Sequence, residues 1–94
     1  MILNNGCKIF EKDGVQKVGV SKNLVQLPII IDSVEHIDRD YYVINKSGHK
    51  GVAKITSNFI MLRPPIYNEI EYQKESMTVS LRIEGKRPRI MKLE

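Results

Sequence analysis

Met77-Thr78-Val79-Ser80-Leu81-Arg82-Ile83 is the stretch on which the fold turns. Thr78, Ser80 and Arg82 share one parity, and Met77, Val79, Leu81 and Ile83 share the other. That is the period-two signature of a half-buried antiparallel strand. Glu84-Gly85-Lys86 then reads as a tight turn, and Arg87–Leu93 returns as the second strand of a hairpin. Working outward, Tyr41-Tyr42-Val43-Ile44 is aromatic and β-branched, and Asn45-Lys46-Ser47-Gly48 supplies turn chemistry. Gly51–Thr56 and Phe59–Leu62 follow as short strands, the latter ended by Pro64-Pro65, which cannot donate to a ladder. The first third repeats this manner: Lys8–Glu11, a Lys12-Asp13-Gly14 turn, Lys17–Val20, then Leu24–Leu27 and Ile29–Ile31. No window sustains a 3.6-residue apolar period of helix length, and only Asn68–Lys74 leaves room for a short helical element. The expectation is an all-β chain of short antiparallel strands.

Ninety-four residues and 10.8 kDa suit one small domain with one modest core. With 41% hydrophobic and 28% charged residues the chain is too apolar for a disordered one. No run approaches the length of a membrane-spanning helix. Met1-Ile2-Leu3-Asn4-Asn5-Gly6 has neither the charged start nor the apolar middle of a signal peptide. Cys7 is the only thiol, so neither an internal disulfide nor a thiolate metal cage is expected. The composition therefore points to a cytoplasmic protein without a cofactor and without a membrane partner.

The chain also resembles itself. Pro28-Ile29-Ile30-Ile31-Asp32-Ser33-Val34-Glu35 aligns with Pro64-Pro65-Ile66-Tyr67-Asn68-Glu69-Ile70-Glu71 at an offset of 36 residues. Pro, Ile and Glu recur in place, Asp32 faces Asn68, and Val34 faces Ile70. Gly14, Gly48 and Gly85 recur in the same order, as do Gly19-Val20 and Gly51-Val52. This divides residues 1–94, one domain, into about two and a half stacked hairpin repeats: units of about 8–40, 41–76 and a shorter 77–94. The best-formed unit, Tyr42-Val43-Ile44-Asn45-Lys46-Ser47-Gly48-His49-Lys50-Gly51-Val52 completed by Pro64-Pro65-Ile66-Tyr67-Asn68-Glu69-Ile70, resembles the bacterial Trp-Gly β-repeat proteins. The chain departs from that pattern in having no Trp, with Val18 and Lys50 at the positions it would take and Pro88 at a Gly position. The resemblance implies stacked antiparallel hairpins and a binding role without chemistry, and it names no ligand.

Side chains capable of chemistry are few. His36 and His49 lie thirteen residues apart with no i, i+4 or His-x-Glu spacing, so they read as surface residues. Cys7 lacks a neighbouring base. Asp32, Glu35, Asp38 and Asp40 lack calcium-loop spacing, and Arg39 interrupts them, which reads as a solvated turn. Ser47-Gly48-His49-Lys50-Gly51 resembles a phosphate loop superficially. A strand, instead of the helix whose amides would face the anion, is expected to follow. No catalytic, cofactor or metal residue is assigned, and the protein reads as a non-enzyme; an enzyme using His36 or His49 with nearby carboxylates is the competing view.

Charge offers the better lead. The formal net charge is +4. Residues 77–94 carry Arg82, Lys86, Arg87, Arg89 and Lys92 against Glu84 and Glu94, whereas the middle of the chain is close to neutral. Guanidinium forks suit phosphate or carboxylate groups, and exposed tyrosines anchor interfaces. The expected function is a small non-catalytic binding protein that docks on a protein or nucleoprotein partner. Arg82, Lys86, Arg87, Arg89 and Lys92 of the hairpin, with Tyr41 and Tyr72, form the expected contact set. One alternative is an anti-CRISPR-like inhibitor, encoded by a phage or mobile element, of an RNA-guided defence nuclease, whose guide channel a compact basic domain would suit. Another is a module that binds RNA directly. Self-association through an edge strand is a further partner expectation.

Overall fold

In the computed structural model, which describes residues 2–3, 6–20 and 23–93, ten strands form three antiparallel meanders. The first sheet is β1 (Lys8–Lys12), β2 (Val15–Val20) and β3 (Asn23–Gln26). The second is β4 (Ser33–Asp38), β5 (Tyr41–Lys46), β6 (His49–Ile55) and β7 (Phe59–Tyr67). The third is β8 (Glu69–Gln73), β9 (Thr78–Arg82) and β10 (Arg89–Lys92), with β9 in the centre. Among the described residues there is no helix, so none long and apolar enough to cross a membrane. The all-β expectation holds, and Asn68–Lys74, left open for a helix, instead supplies β8.

Two turns show why these hairpins close where they do. Asp13-Gly14 and Ser47-Gly48 both adopt left-handed φ at both residues, 55° and 76° in the first and 51° and 81° in the second. This two-residue mirror-image turn matches the twist of paired strands, and glycine takes the second position without steric cost. The last hairpin differs from expectation. Its connection runs from Ile83 to Pro88, longer than a tight turn, with Gly85 at φ 79° and Lys86 N–H donating to Ile83 O at 3.0 Å. Pro88 has no amide to donate, and β10 begins only after it. Met77 lies in the preceding turn at φ 52° instead of starting the strand.

The middle of the central sheet is buried on both faces. Tyr41, Tyr42, Val43 and Ile44 of β5 are all buried, and alternation divides the sheet between two cores. Tyr42, Ile44, Ala53, Ile55 and Phe59 join Ile9, Val18, Leu27 and Ile31 in one cluster with the first sheet. Tyr41, Val52 and Tyr67 join Val79, Leu81 and Leu93 in a second cluster with the third sheet. Each fully buried aliphatic side chain contributes about 1.5–3 kcal/mol, so the middle sheet links two small cores neither of which would be large alone. Cys7, a free thiol, is buried in the first cluster.

The 36-residue offset has a structural counterpart. Asp32 N–H donates to Asn45 O at 2.7 Å, and its Oδ2 accepts from Ser47 N–H at 2.8 Å. Asn68 N–H donates to Arg82 O at 2.8 Å, and its Oδ1 accepts from Glu84 N–H at 2.7 Å. Each Asx residue thus straps the end of the hairpin strand that follows it. Ile55 N–H donating to Asp40 O and Leu93 N–H donating to Met77 O, both at 2.8 Å, repeat a second bond in the same two modules. Hydrogen bonding starts the second and third sheets one strand earlier than the units read from sequence, since β4 pairs with β5 and β8 with β9.

Candidate functional site

The β9–β10 hairpin carries the expected cations, but the strand register divides them. Leu81 faces Arg89 and Val79 faces Met91, whereas Ser80 faces Ile90 and Thr78 faces Lys92. Cross-strand partners share a face. Arg89 therefore lies on the same side as the buried Val79 and Leu81, and Lys92 lies on the opposite side with Arg82. That opposite face also holds Glu69 and Glu71 of β8, and Arg82 Nη1 contacts Glu69 Oε2 at 3.3 Å. Its charges are mixed and Arg82 is engaged, so Arg82 and Lys92 do not extend a common basic surface with the other three cations.

Lys86, Arg87 and Arg89 instead wall a cleft of about 230 Å³ whose floor is Ile66, Tyr67, Leu81 and Ile83. Three separate elements build it. The end of β7 delivers Ile66 and Tyr67 after the Pro64-Pro65 step, the inward parity of β9 delivers Leu81, with Ile83 just beyond the strand, and the long connection with the first residue of β10 delivers Lys86, Arg87 and Arg89. Tyr67 and Leu81 are buried and Ile66 is half exposed, so the floor is buried at its centre and open to solvent at Ile66. The cleft has no carboxylate in its lining. Among the described residues, no acidic side chain pairs with Lys86, Arg87 or Arg89. Sequence reasoning found the cations and missed the floor. Its signal was present in Pro64-Pro65-Ile66-Tyr67, read as a strand terminator and a repeat landmark although β7 runs on to Tyr67, and in the apolar parity of Leu81 and Ile83, read as the buried face of a strand.

Of the two tyrosines expected at the interface, Tyr41 is buried in the fold and Tyr72 is half-buried and hydrogen-bonded. Tyr41 is only 7% exposed and belongs to the second cluster, while the Arg39 guanidinium and Lys54 ammonium lie 5.2 and 5.7 Å from its ring centroid. Its position on a strand covered on both faces is what buries it. Tyr72 is half-buried and donates its hydroxyl hydrogen to Asp38 Oδ2 at 3.0 Å, tying the third sheet to the second. Desolvation, then this hydrogen bond and the charge of Asp38, raise the Tyr72 pKa above its ordinary 10.0, with Arg39 opposing.

The other candidate residues are spread among local roles. His36 Nε2 lies 2.8 Å from Arg39 O and its ring meets that of Tyr42 edge-on at 5.2 Å; His49 Nδ1 lies 3.3 Å from Ser47 O. Asp32 holds Ser47, Glu35 pairs with Lys50 at 3.8 Å, and Asp38 holds Tyr72. No group of three His, Cys, Asp or Glu side chains converges among the described residues. Ser47-Gly48-His49-Lys50-Gly51 forms the β5–β6 turn and the start of β6, as the hairpin reading requires. The free edge expected to pair with a second copy lies at β10, which has β9 on one side and exposes Ile90 at 66%. No protein-family model, no curated protein and no solved structure matches the chain.

Proposed function

We propose that the protein is a binding module without chemistry of its own, and that the cleft beside the C-terminal hairpin takes an acidic segment of a protein or nucleoprotein partner. The observation that carries this reading is the pairing of an apolar floor, Ile66, Tyr67, Leu81 and Ile83, with three uncompensated cations on its wall. An apolar anchor side chain of the partner fills the floor and sheds water from it, at about 25 cal/mol for each Å² covered. Flanking carboxylates meet Lys86, Arg87 and Arg89, and the guanidinium forks of Arg87 and Arg89 favour bidentate pairing. A cluster of cations alone would attract any anion; the apolar floor is what favours a peptide.

Selection from a displayed random-peptide library tests the reading. Recovered peptides should carry Asp or Glu beside Leu, Ile or Phe, and binding should fall at least tenfold in an Arg87→Glu, Arg89→Glu double variant, given about 1.5–3 kcal/mol for each hydrogen bond to a charged group. Arg82→Ala, on the opposite face, should retain binding. Recovery of no consensus, or of acidic peptides indifferent to Arg87 and Arg89, would refute the proposal.

A further inference from the structure

The outward face of the first sheet takes no part in the cleft, and strand register defines it. Lys8, Phe10 and Lys12 of β1 lie opposite Gly19, Lys17 and Val15 of β2, and Leu24 and Gln26 of β3 face Gly19 and Lys17 in turn. The other parity sends Ile9 and Val18 into the core, which obliges this set to face out. Phe10 is 43% exposed, the only Phe or Tyr among the described residues that counts as an exposed side chain. It sits midway between Lys8 and Lys12 on its own strand and directly opposite Lys17. All three lysines are exposed, and among the described residues none forms an ion pair. Phe10, Lys12, Val15, Lys17, Leu24 and Gln26 line a shallow depression of about 560 Å³ in which Asp13, from the turn, is the one carboxylate.

We infer that this face binds single-stranded nucleic acid, with a base stacked on Phe10 and phosphates met by Lys8, Lys12 and Lys17. An aromatic ring on an open sheet face presents a π-surface that any unpaired base can cover, and lysines around it follow the sugar–phosphate chain. At the rise of an antiparallel strand, Lys8 and Lys12 stand about 13–14 Å apart, so they bracket the ring along the strand while Lys17 supports it from the side. Competing occupants fit less well. A second copy laid face to face would set like lysines against one another. An added β-strand needs an edge, and this is a face whose central strand is already paired on both sides. An acidic protein would satisfy the lysines but has no particular use for an aromatic ring at their centre. This inference is independent of the cleft, which is built from β7 of the second sheet and from the third sheet.

Fluorescence anisotropy with short labelled oligouridine and oligothymidine tests it, at low salt and across a salt series. Binding should weaken steeply with salt, and the better bound of the two identifies RNA or DNA as the preferred strand. Phe10→Ala should reduce affinity roughly 5- to 150-fold, while Phe10→Tyr retains it. Lys17→Ala should lower the slope of log affinity against log salt by about 0.7. Arg87→Ala should leave affinity essentially unchanged. Phe10 is exposed, so unchanged circular dichroism and thermal unfolding should accompany its loss of binding. No binding at low salt, or binding that Phe10→Ala leaves intact, would overturn the inference. Displacement by polyglutamate as efficient as by unlabelled oligonucleotide would also overturn it, assigning the face to an acidic protein.

Discussion

The segments Pro28–Asp32 and Pro64–Asn68 begin alike and end alike, yet cross the molecule by different means. Both lead to an Asx residue that makes the same pair of hydrogen bonds to the next hairpin. Between these points, the first segment leaves the sheet altogether. The buried Gln16 of β2 then stands in for a strand partner: its Nε2 donates to Ile31 O at 2.8 Å and its Oε1 accepts from Ile31 N–H at 2.7 Å. Lys46 Nζ adds a bond to Ile30 O at 2.8 Å. The second segment remains in β7 and bulges instead, with Pro64, Pro65 and Ile66 spanning the one residue, Gly51, that separates Lys50 from Val52 on β6. A Cβ on Gly51 would lie 2.5 Å from Arg63 O and 2.8 Å from both Pro64 C and Pro65 N. One module satisfies the displaced backbone with a side chain, and the other makes room by having none. A proline step thus poses the same accounting problem twice, because its neighbours' amides and carbonyls need partners wherever the ladder breaks, and the two solutions are not interchangeable.

Gln16→Leu breaks the first solution while preserving volume. It leaves both polar groups of Ile31 buried without a partner, at about 1–3 kcal/mol each, so urea unfolding should show a loss of about 4 kcal/mol. A loss below about 1 kcal/mol would mean that the amide clip contributes no more than an ordinary net hydrogen bond.

Gly51→Ala breaks the second. The added methyl meets backbone atoms that belong to a bulge between prolines, so the strand must shift, and a cost of about 2 kcal/mol is expected. For a chain of this length that corresponds to a fall of about 10 °C in Tm, measurable by calorimetry. The paired control is Lys17→Ala in the first module, just past Gln16, where the side chain faces solvent; it should change stability by no more than about 0.5 kcal/mol.

A smaller effect sharpens the comparison at the junction of the second and third sheets. The folded pKa of Tyr72 lies above its ordinary value, so the protonated hydroxyl contributes stability in full below about pH 10, the unfolded value. That contribution is lost as pH rises through the folded value. Tyr72→Phe cannot ionise, and its stability should therefore decline less between neutral pH and the alkaline range than that of the parent chain. Parallel curves for the two proteins in denaturant titrations would show that the Asp38 bond carries no pH dependence.

Much of this architecture was legible in the residues. The alternation from Thr78 to Arg82, the Asp-Gly and Ser-Gly turns and the facing of Asp32 with Asn68 each carry a local physical cause that sequence alone displays. The devices that distinguish the modules do not. A single Gln at position 16 has the same polarity as any solvated strand residue, and only the return of Ile31 fifteen residues later makes its amide structural. Tyr41 was expected at an interface because tyrosines commonly anchor one. The unbroken run Tyr41-Tyr42-Val43-Ile44 was the available sign that both faces of the strand are covered. The cleft was half legible, since its cations lie within four residues of one another whereas its floor is assembled from β7, β9 and the residue beyond.

The central claim is that Asp32 and Asn68 are one structural position used twice. It is tested most directly by the unfolding free energies of Asp32→Ala, Asn68→Ala and the double variant. Each single change removes one side-chain acceptor from a strand-end amide, and each should cost about 1 kcal/mol, with the two losses adding within about 0.5 kcal/mol because the sites share no partner. Exchange of the two residues, Asp32→Asn or Asn68→Asp, should cost much less than either alanine. A full loss at one site with none at the other would contradict the equivalence and leave the 36-residue correspondence without a structural basis.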